Sequence, residues 1–207
     1  MKKSKILMVL AGLFLGSLFF FPIWKITLIA PQYPEPLGLN IHINRLSDGV
    51  QFYDVNNIDL LNHYIGMAHL PSKENVIKGN VEPLLEFIIF PIVVSVMSVL
   101  ALIVGFIGKP KLYLIWLIIM VILGIAGLYD FYRWLFIYGH NLDLNAILKI
   151  TDPVTGLPMG YQPPFFGYKK ILNFEVYSFP AIGAYLMASS MLLSFLAFFI
   201  SKKEIKN

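Results

Sequence analysis

"LLEFIIFPIVVSVMSVLALIVGFI" (residues 84–107) and "LYLIWLIIMVILGIAGL" (residues 112–128) are apolar runs separated only by "GKPK" (residues 108–111). A hydrocarbon core needs about 20 apolar residues in helical form to be crossed, so the pair reads as two membrane spans joined by a short turn. Two further runs flank it, roughly residues 6–23 and 176–200. The expected fold is an all-α membrane protein: one domain of residues 1–207 with four transmembrane helices. Two ordered extracytoplasmic loops, residues 31–83 and 129–175, form a small cap.

Composition agrees with a membrane class. Hydrophobic residues make up 57% of the chain and charged residues only 14%, outside the range of soluble globular domains. The first run follows Lys2, Lys3 and Lys5 like a secretory leader, but it is about 18 residues long, beyond the usual apolar length, and no A-x-A pattern ends it. It is expected to remain as an anchor.

Lysines set the expected orientation, because short Lys- and Arg-rich segments stay on the cytoplasmic side. Lys2, Lys3 and Lys5, then Lys109 and Lys111, then Lys202, Lys203 and Lys206 fall on one face of a four-span bundle, with Glu204 the single acid among them. The rest of the chain is net acidic. Both termini are therefore expected on the cytoplasmic side of the membrane, and the net charge of +4 is a topology signal that calls for no nucleic acid.

Aromatic residues mark the outer boundary. Trp24 stands where the first run should emerge, and Tyr129, Phe131, Tyr132, Trp134, Phe136 and Tyr138 extend the third beyond the hydrocarbon. In the fourth run Ala184, Ala188, Ser190 and Ser194 have the small-x-x-x-small spacing of close helix packing. No ionisable residue lies between the ends of the runs, which argues against a midplane ion-coupled transporter. Glu86 stands near an outer end.

Any chemistry is thus expected in the outer loops, which hold His42, His63, His69 and His140. No H-E-x-x-H, haem-attachment, phosphate-loop or G-x-S-x-G pattern is present, so no reaction is indicated. Residues 39–43 alternate as a short strand would, and Asn56 or Asn57 can cap a helix with Ile58, Leu61 and Ile65 on one side. That helix places His63 and Met67 at i and i+4, with His69 able to turn back after Gly66 and before Pro71. The second loop contributes His140 and Met159. The two loops are expected to pack together, burying Tyr64, Ile65, Phe165 and Phe166.

"FPIWKITLIAPQYPEPLGLNIHI" (21–43), "NNIDLLNHYIGM" (56–67), "GLYDFY" (127–132), "YGHNLD" (138–143) and "MGYQPPFFGYKKILNF" (159–174) resemble a family of small four-span bacterial membrane proteins. Its members are encoded beside nitrous oxide reductase and its copper-delivery accessory proteins. The resemblance covers most of the chain; Leu144 and "LPMG" (157–160) depart from the family pattern in the second loop. It implies a setting of copper-dependent respiration, with a copper chaperone or the copper enzyme as partner.

Copper suits the residue types, since thioether and imidazole donors favour Cu(I), and a chain without cysteine avoids disulfide chemistry in an oxidising compartment. The candidate metal ligands are His63, Met67, His69, His140 and Met159. The leading expectation is a non-enzymatic accessory protein that binds copper or docks copper carriers through its outer loops. A metal-free scaffold or assembly factor is the alternative, and an oligomeric transporter or permease the third.

Overall fold

The structure is a computed structural model that describes residues 2–143, 145–148, 151, 156 and 160–206. Helix α1 (Lys3–Gly16) and a 3-10 turn (Ser17–Phe19) lead into β1 (Trp24–Ile29), β2 (Leu37–Ile41) and β3 (Leu46–Asp48). Helices α2 (Asp54–Tyr64) and α3 (Lys73–Ile77) follow, then α4 (Glu86–Ile107) and α5 (Pro110–His140). The chain closes with β4 (Gly167–Ile171), β5 (Phe174–Pro180) and α6 (Ile182–Lys206).

Three helices, α4, α5 and α6, are long and apolar enough to cross a membrane. The expected fourth, over residues 6–23, is cut short. α1 has 14 residues, about 21 Å at 1.5 Å per residue. Beyond it Ser17 Oγ donates back to the Phe14 carbonyl at 2.6 Å, Pro22 lacks the N–H that a continued helix needs, and Trp24 begins a strand. α1 is instead the inner stave of the bundle, packed on α4 and α6 with Met8, Ala11 and Leu15 buried. Small residues permit the approach: a Cβ on Gly12 would stand 3.1 Å from the Ala101 Cβ and from the Ser98 carbonyl.

On α6 the packed small residues are Ser190 and Ser194, whose hydroxyls donate to the Ala11 carbonyl at 2.7 Å and the Tyr113 carbonyl at 3.1 Å. Ala188, on the same expected stripe, is exposed. The three lysine-bearing segments meet at one end of the bundle. There Ser4 Oγ donates to Glu204 at 2.6 Å and Lys5 Nζ to the Phe106 carbonyl at 2.6 Å.

At the opposite end the all-α expectation fails, because five antiparallel strands form a sheet in the order β3-β2-β1-β5-β4. Its centre joins two distant parts of the chain, with Ile26 facing Ser178 and Leu28 facing Val176. The fourth apolar run therefore starts later than residue 176: Val176 and Ser178 are buried along β5, Phe179 is exposed, and the helix begins at Ile182. A hydropathy sum cannot separate that alternation from the helix that follows it.

One sheet face packs on α2 and on the last turns of α5. Ile26, Leu39, Ile41 and Val176 meet Val55 and Ile58 of α2 and Leu135 of α5 in a single apolar core. α5 thus runs past the membrane-length segment into the cap, and Trp24 is a core residue rather than an interface marker: it is buried, with its ring 5.2 Å from that of Phe131. The β4–β5 turn puts Leu172 at φ +57°, in place of the Asn or Gly that usually announces a tight hairpin.

The two outer loops do pack together. Asp143 N donates to the Gly66 carbonyl at 2.8 Å and Leu148 N to the Tyr64 carbonyl at 3.0 Å. Ile65 and Phe165 join the margin of the cap core, whereas Tyr64 and Phe166 remain exposed.

Candidate functional site

Helix α2 is held at its start by two aspartates. Asp48 accepts from the backbone N–H of Val55 at 2.9 Å, and Asp54 Oδ2 accepts from those of Gly38, Val50 and Gln51 at 2.7 to 2.8 Å. These bonds tie β2, β3 and α2 into one unit. Tyr53, just before the helix, is forced to φ +70°, a left-handed conformation costing an L-residue roughly 1–2 kcal/mol. Its ring makes an edge contact with Phe52 at 4.4 Å. Phe52 is 78% exposed and Tyr53 59%, so strained backbone holds an aromatic pair away from the cap.

At its other end α2 stops at Tyr64, and Gly66 at φ +84° reverses the chain. Met67 therefore does not continue the helix, and the i, i+4 relation to His63 is not formed. It is 5% exposed and packs with Leu70, Leu135 and Tyr161 in the cap core, although it also borders a surface cleft. His69 does turn back: its ring stacks on that of His63 with centroids 5.0 Å apart and planes 12° from parallel.

Asp59, singled out by no pattern in the sequence, fixes that arrangement. Buried on α2, it accepts from His69 Nδ1 at 2.8 Å, from Asn75 Nδ2 at 2.9 Å and from the backbone N–H of Leu70 at 2.5 Å. With Nδ1–H donated to the carboxylate, His69 presents its Nε2 lone pair. Both imidazoles line an open cleft of about 430 Å³, together with Asn80, Asn141, Asp143 and Asn145.

His140 and Met159 stand apart from this pair. His140 Nδ1 bonds the Phe136 carbonyl at 2.8 Å, its ring stacks on Phe136 at 4.2 Å, and its Nε2 side packs against Gly160. It does not line the cleft. Met159 lies outside the described residues. His42 is elsewhere again, at the base of the cap beside Ser47. Among the described residues no group of three His, Cys, Asp or Glu side chains is placed to hold a metal ion.

The fit to copper is accordingly partial. A carboxylate-oriented histidine is the usual outer-shell arrangement of a metal ligand. Imidazole lone pairs, however, lie in the ring planes, and two near-parallel stacked rings do not direct theirs at one point. A shared ion needs His63 to rotate. Comparison of the chain with protein-family models, curated proteins and solved structures gives no match.

Proposed function

We propose that the chain is a non-enzymatic accessory protein of a bacterial cytoplasmic membrane, with both termini cytoplasmic and the cap outward. There it docks a copper-carrying protein during maturation of a respiratory copper enzyme of the nitrous oxide reductase type. The setting comes from the sequence resemblance. The observation that carries docking is the Phe52–Tyr53 pair: two exposed aromatic rings held outward at a cost in backbone strain, on a unit tied down by Asp48 and Asp54. Strain kept at an exposed site points to function, and aromatic side chains dominate binding hot spots. The continuous α5 helix makes cap and bundle one body, so that a docked partner is held at a fixed height above the membrane.

The test uses cells that make nitrous oxide reductase and its copper-delivery proteins. A photo-crosslinking residue at position 52 is expected to capture one of those proteins, and the reductase made without this chain is expected to lack copper. The double variant Phe52→Ser, Tyr53→Gly should accumulate normally, since glycine relieves the left-handed strain, yet fail to restore copper loading. A reductase fully loaded in the absence of the chain overturns the proposal, as do crosslinks to lipid alone.

A second reading, direct Cu(I) binding by His63 and His69, is favoured by one feature: Asp59 engages Nδ1 of His69, a residue that lines the cleft, and so leaves Nε2 as the nitrogen open to an ion.

A further inference from the structure

Between the underside of the sheet and the helix bundle lies an apolar cavity of about 200 Å³. Leu18, Val94, Met97, Met120, Leu123 and Phe131 are among its walls. An apolar cavity of about 150 Å³ already accommodates benzene, so this one accepts a stretch of hydrocarbon chain. α4 packs chiefly on α1, and α5 on α6, which leaves the α4–α5 seam beside the cavity thinly filled.

Three ionisable side chains reach the cavity: His42, Glu86 and Asp130. His42 is 6% exposed, its Nε2 lies 3.0 Å from Ser47 Oγ, and its Nδ1 has no partner among the described residues. The ring is thus anchored to Ser47 through one nitrogen only. Buried polar atoms are ordinarily satisfied, and His42 is one of the residues that border the cavity. Glu86 and Asp130 also line a second cleft of about 170 Å³, shared with Arg133, Trp134 and Tyr138. The ion pairs among the described residues are His69–Asp59 and Lys78–Glu74, so Arg133 pairs with neither carboxylate. Hydrocarbon walls, a buried imidazole, two carboxylates and a guanidinium thus follow one another through adjoining spaces.

We propose that this cleft binds one zwitterionic glycerophospholipid with an ammonium headgroup, taken laterally from the bilayer. Its acyl chain fills the apolar cavity, with the ester region on the side that His42 borders. The ammonium meets Glu86 and Asp130, and the phosphate meets Arg133. Two acids beside one base match an ammonium and a phosphate together better than they match an anionic headgroup.

The test is native mass spectrometry of the full chain purified in mild detergent, with analysis of the extracted phospholipid. Gly127 lines the cavity, and a Cβ there meets no atom within 4 Å, so Gly127→Phe starts a side chain from open space at the cavity wall. The wild type is expected to retain one ethanolamine phospholipid per chain through delipidating washes, enriched over its share of the membrane. Gly127→Phe should lower retention about tenfold, equivalent to roughly 1.4 kcal/mol of affinity. Arg133→Gln should weaken it severalfold, and Glu86→Gln with Asp130→Asn should abolish the ethanolamine preference while leaving the apolar cavity intact, a readout that stands even if Gly127→Phe does not fold. A wild type free of lipid overturns the proposal. So does retention that Gly127→Phe leaves unchanged, or bound lipid whose headgroups mirror the bulk membrane.

Discussion

Trp24 donates its indole N–H to Ser178 Oγ at 2.8 Å, across 154 residues of sequence and between the central strand β1 and its neighbour β5. Ser178 in turn donates to the Phe165 carbonyl at 3.2 Å, so one buried relay links β1, β5 and the second outer loop. Ser178→Ala leaves the indole N–H without an acceptor, at a cost of about 1–3 kcal/mol. Thermal unfolding in detergent should show a lowered midpoint. A midpoint equal to wild type would mean that water replaces the hydroxyl.

Met67 belongs to the cap core by position, whatever its chemistry as a donor. Met67→Leu should cost less than about 1.5 kcal/mol because volume is conserved, whereas Met67→Ala should cost about 2–5 kcal/mol. Competition with a Cu(I) chelator then separates packing from ligation. Under the second reading of the cap, His63→Leu with His69→Leu removes copper binding, while Met67→Leu leaves the affinity within about twofold. A large loss on Met67→Leu alone would bring the thioether back into the site.

Gly139 lies in the last turn of α5, where a Cβ would stand 2.4 Å from Gln162 Cα and 2.6 Å from Gln162 N. Alanine in a helix interior normally gains up to about 1 kcal/mol over glycine. Here the clash is with backbone and cannot be relieved by a rotamer, so Gly139→Ala should destabilise by about 1–3 kcal/mol. Limited proteolysis should show cleavage near residues 160–165 rising in the variant, because the Tyr161 N–H bond to the Gly139 carbonyl is lost with the contact.

Burial, and then the nearby Arg45 charge, hold the His42 imidazole below its ordinary value of 6.5. Between that lowered value and 6.5 the unfolded chain binds the proton and the folded chain does not, so stability falls as pH drops through the window. Unfolding midpoints at about pH 7.5 and about pH 5.5 should differ more for the wild type than for His42→Gln. An equal pH response would place the titrating group elsewhere.

The two cap-forming loops were legible as ordered, since Leu39 to Ile43 alternate and Ile58, Leu61 and Ile65 recur at helical spacing; β2 and α2 lie within a few residues of those patterns. The His63–His69 stack was half legible. Gly66 and Pro71 marked a helix end beyond which His69 could turn back, but the helix stops at Tyr64, before Met67. Only the carboxylate of Asp59, ten residues away from His69, brings that ring back.

The apolar runs needed nothing beyond the chain to be recognised. Hydrophobicity over about 20 residues is a local sum, and α4, α5 and most of α6 follow from it. The sheet is another matter. β1 and β5 each read as the edge of a membrane run, and what makes them strands is their pairing with each other, which local pattern cannot carry because the partners lie some 150 residues apart. Tertiary structure also decided that Trp24 is core, that α1 is the inner stave of the bundle, and that His42 is buried at the edge of an apolar cavity. Burial at each of those positions is set by which distant surface arrives there, a quantity the order of residues along the chain does not contain.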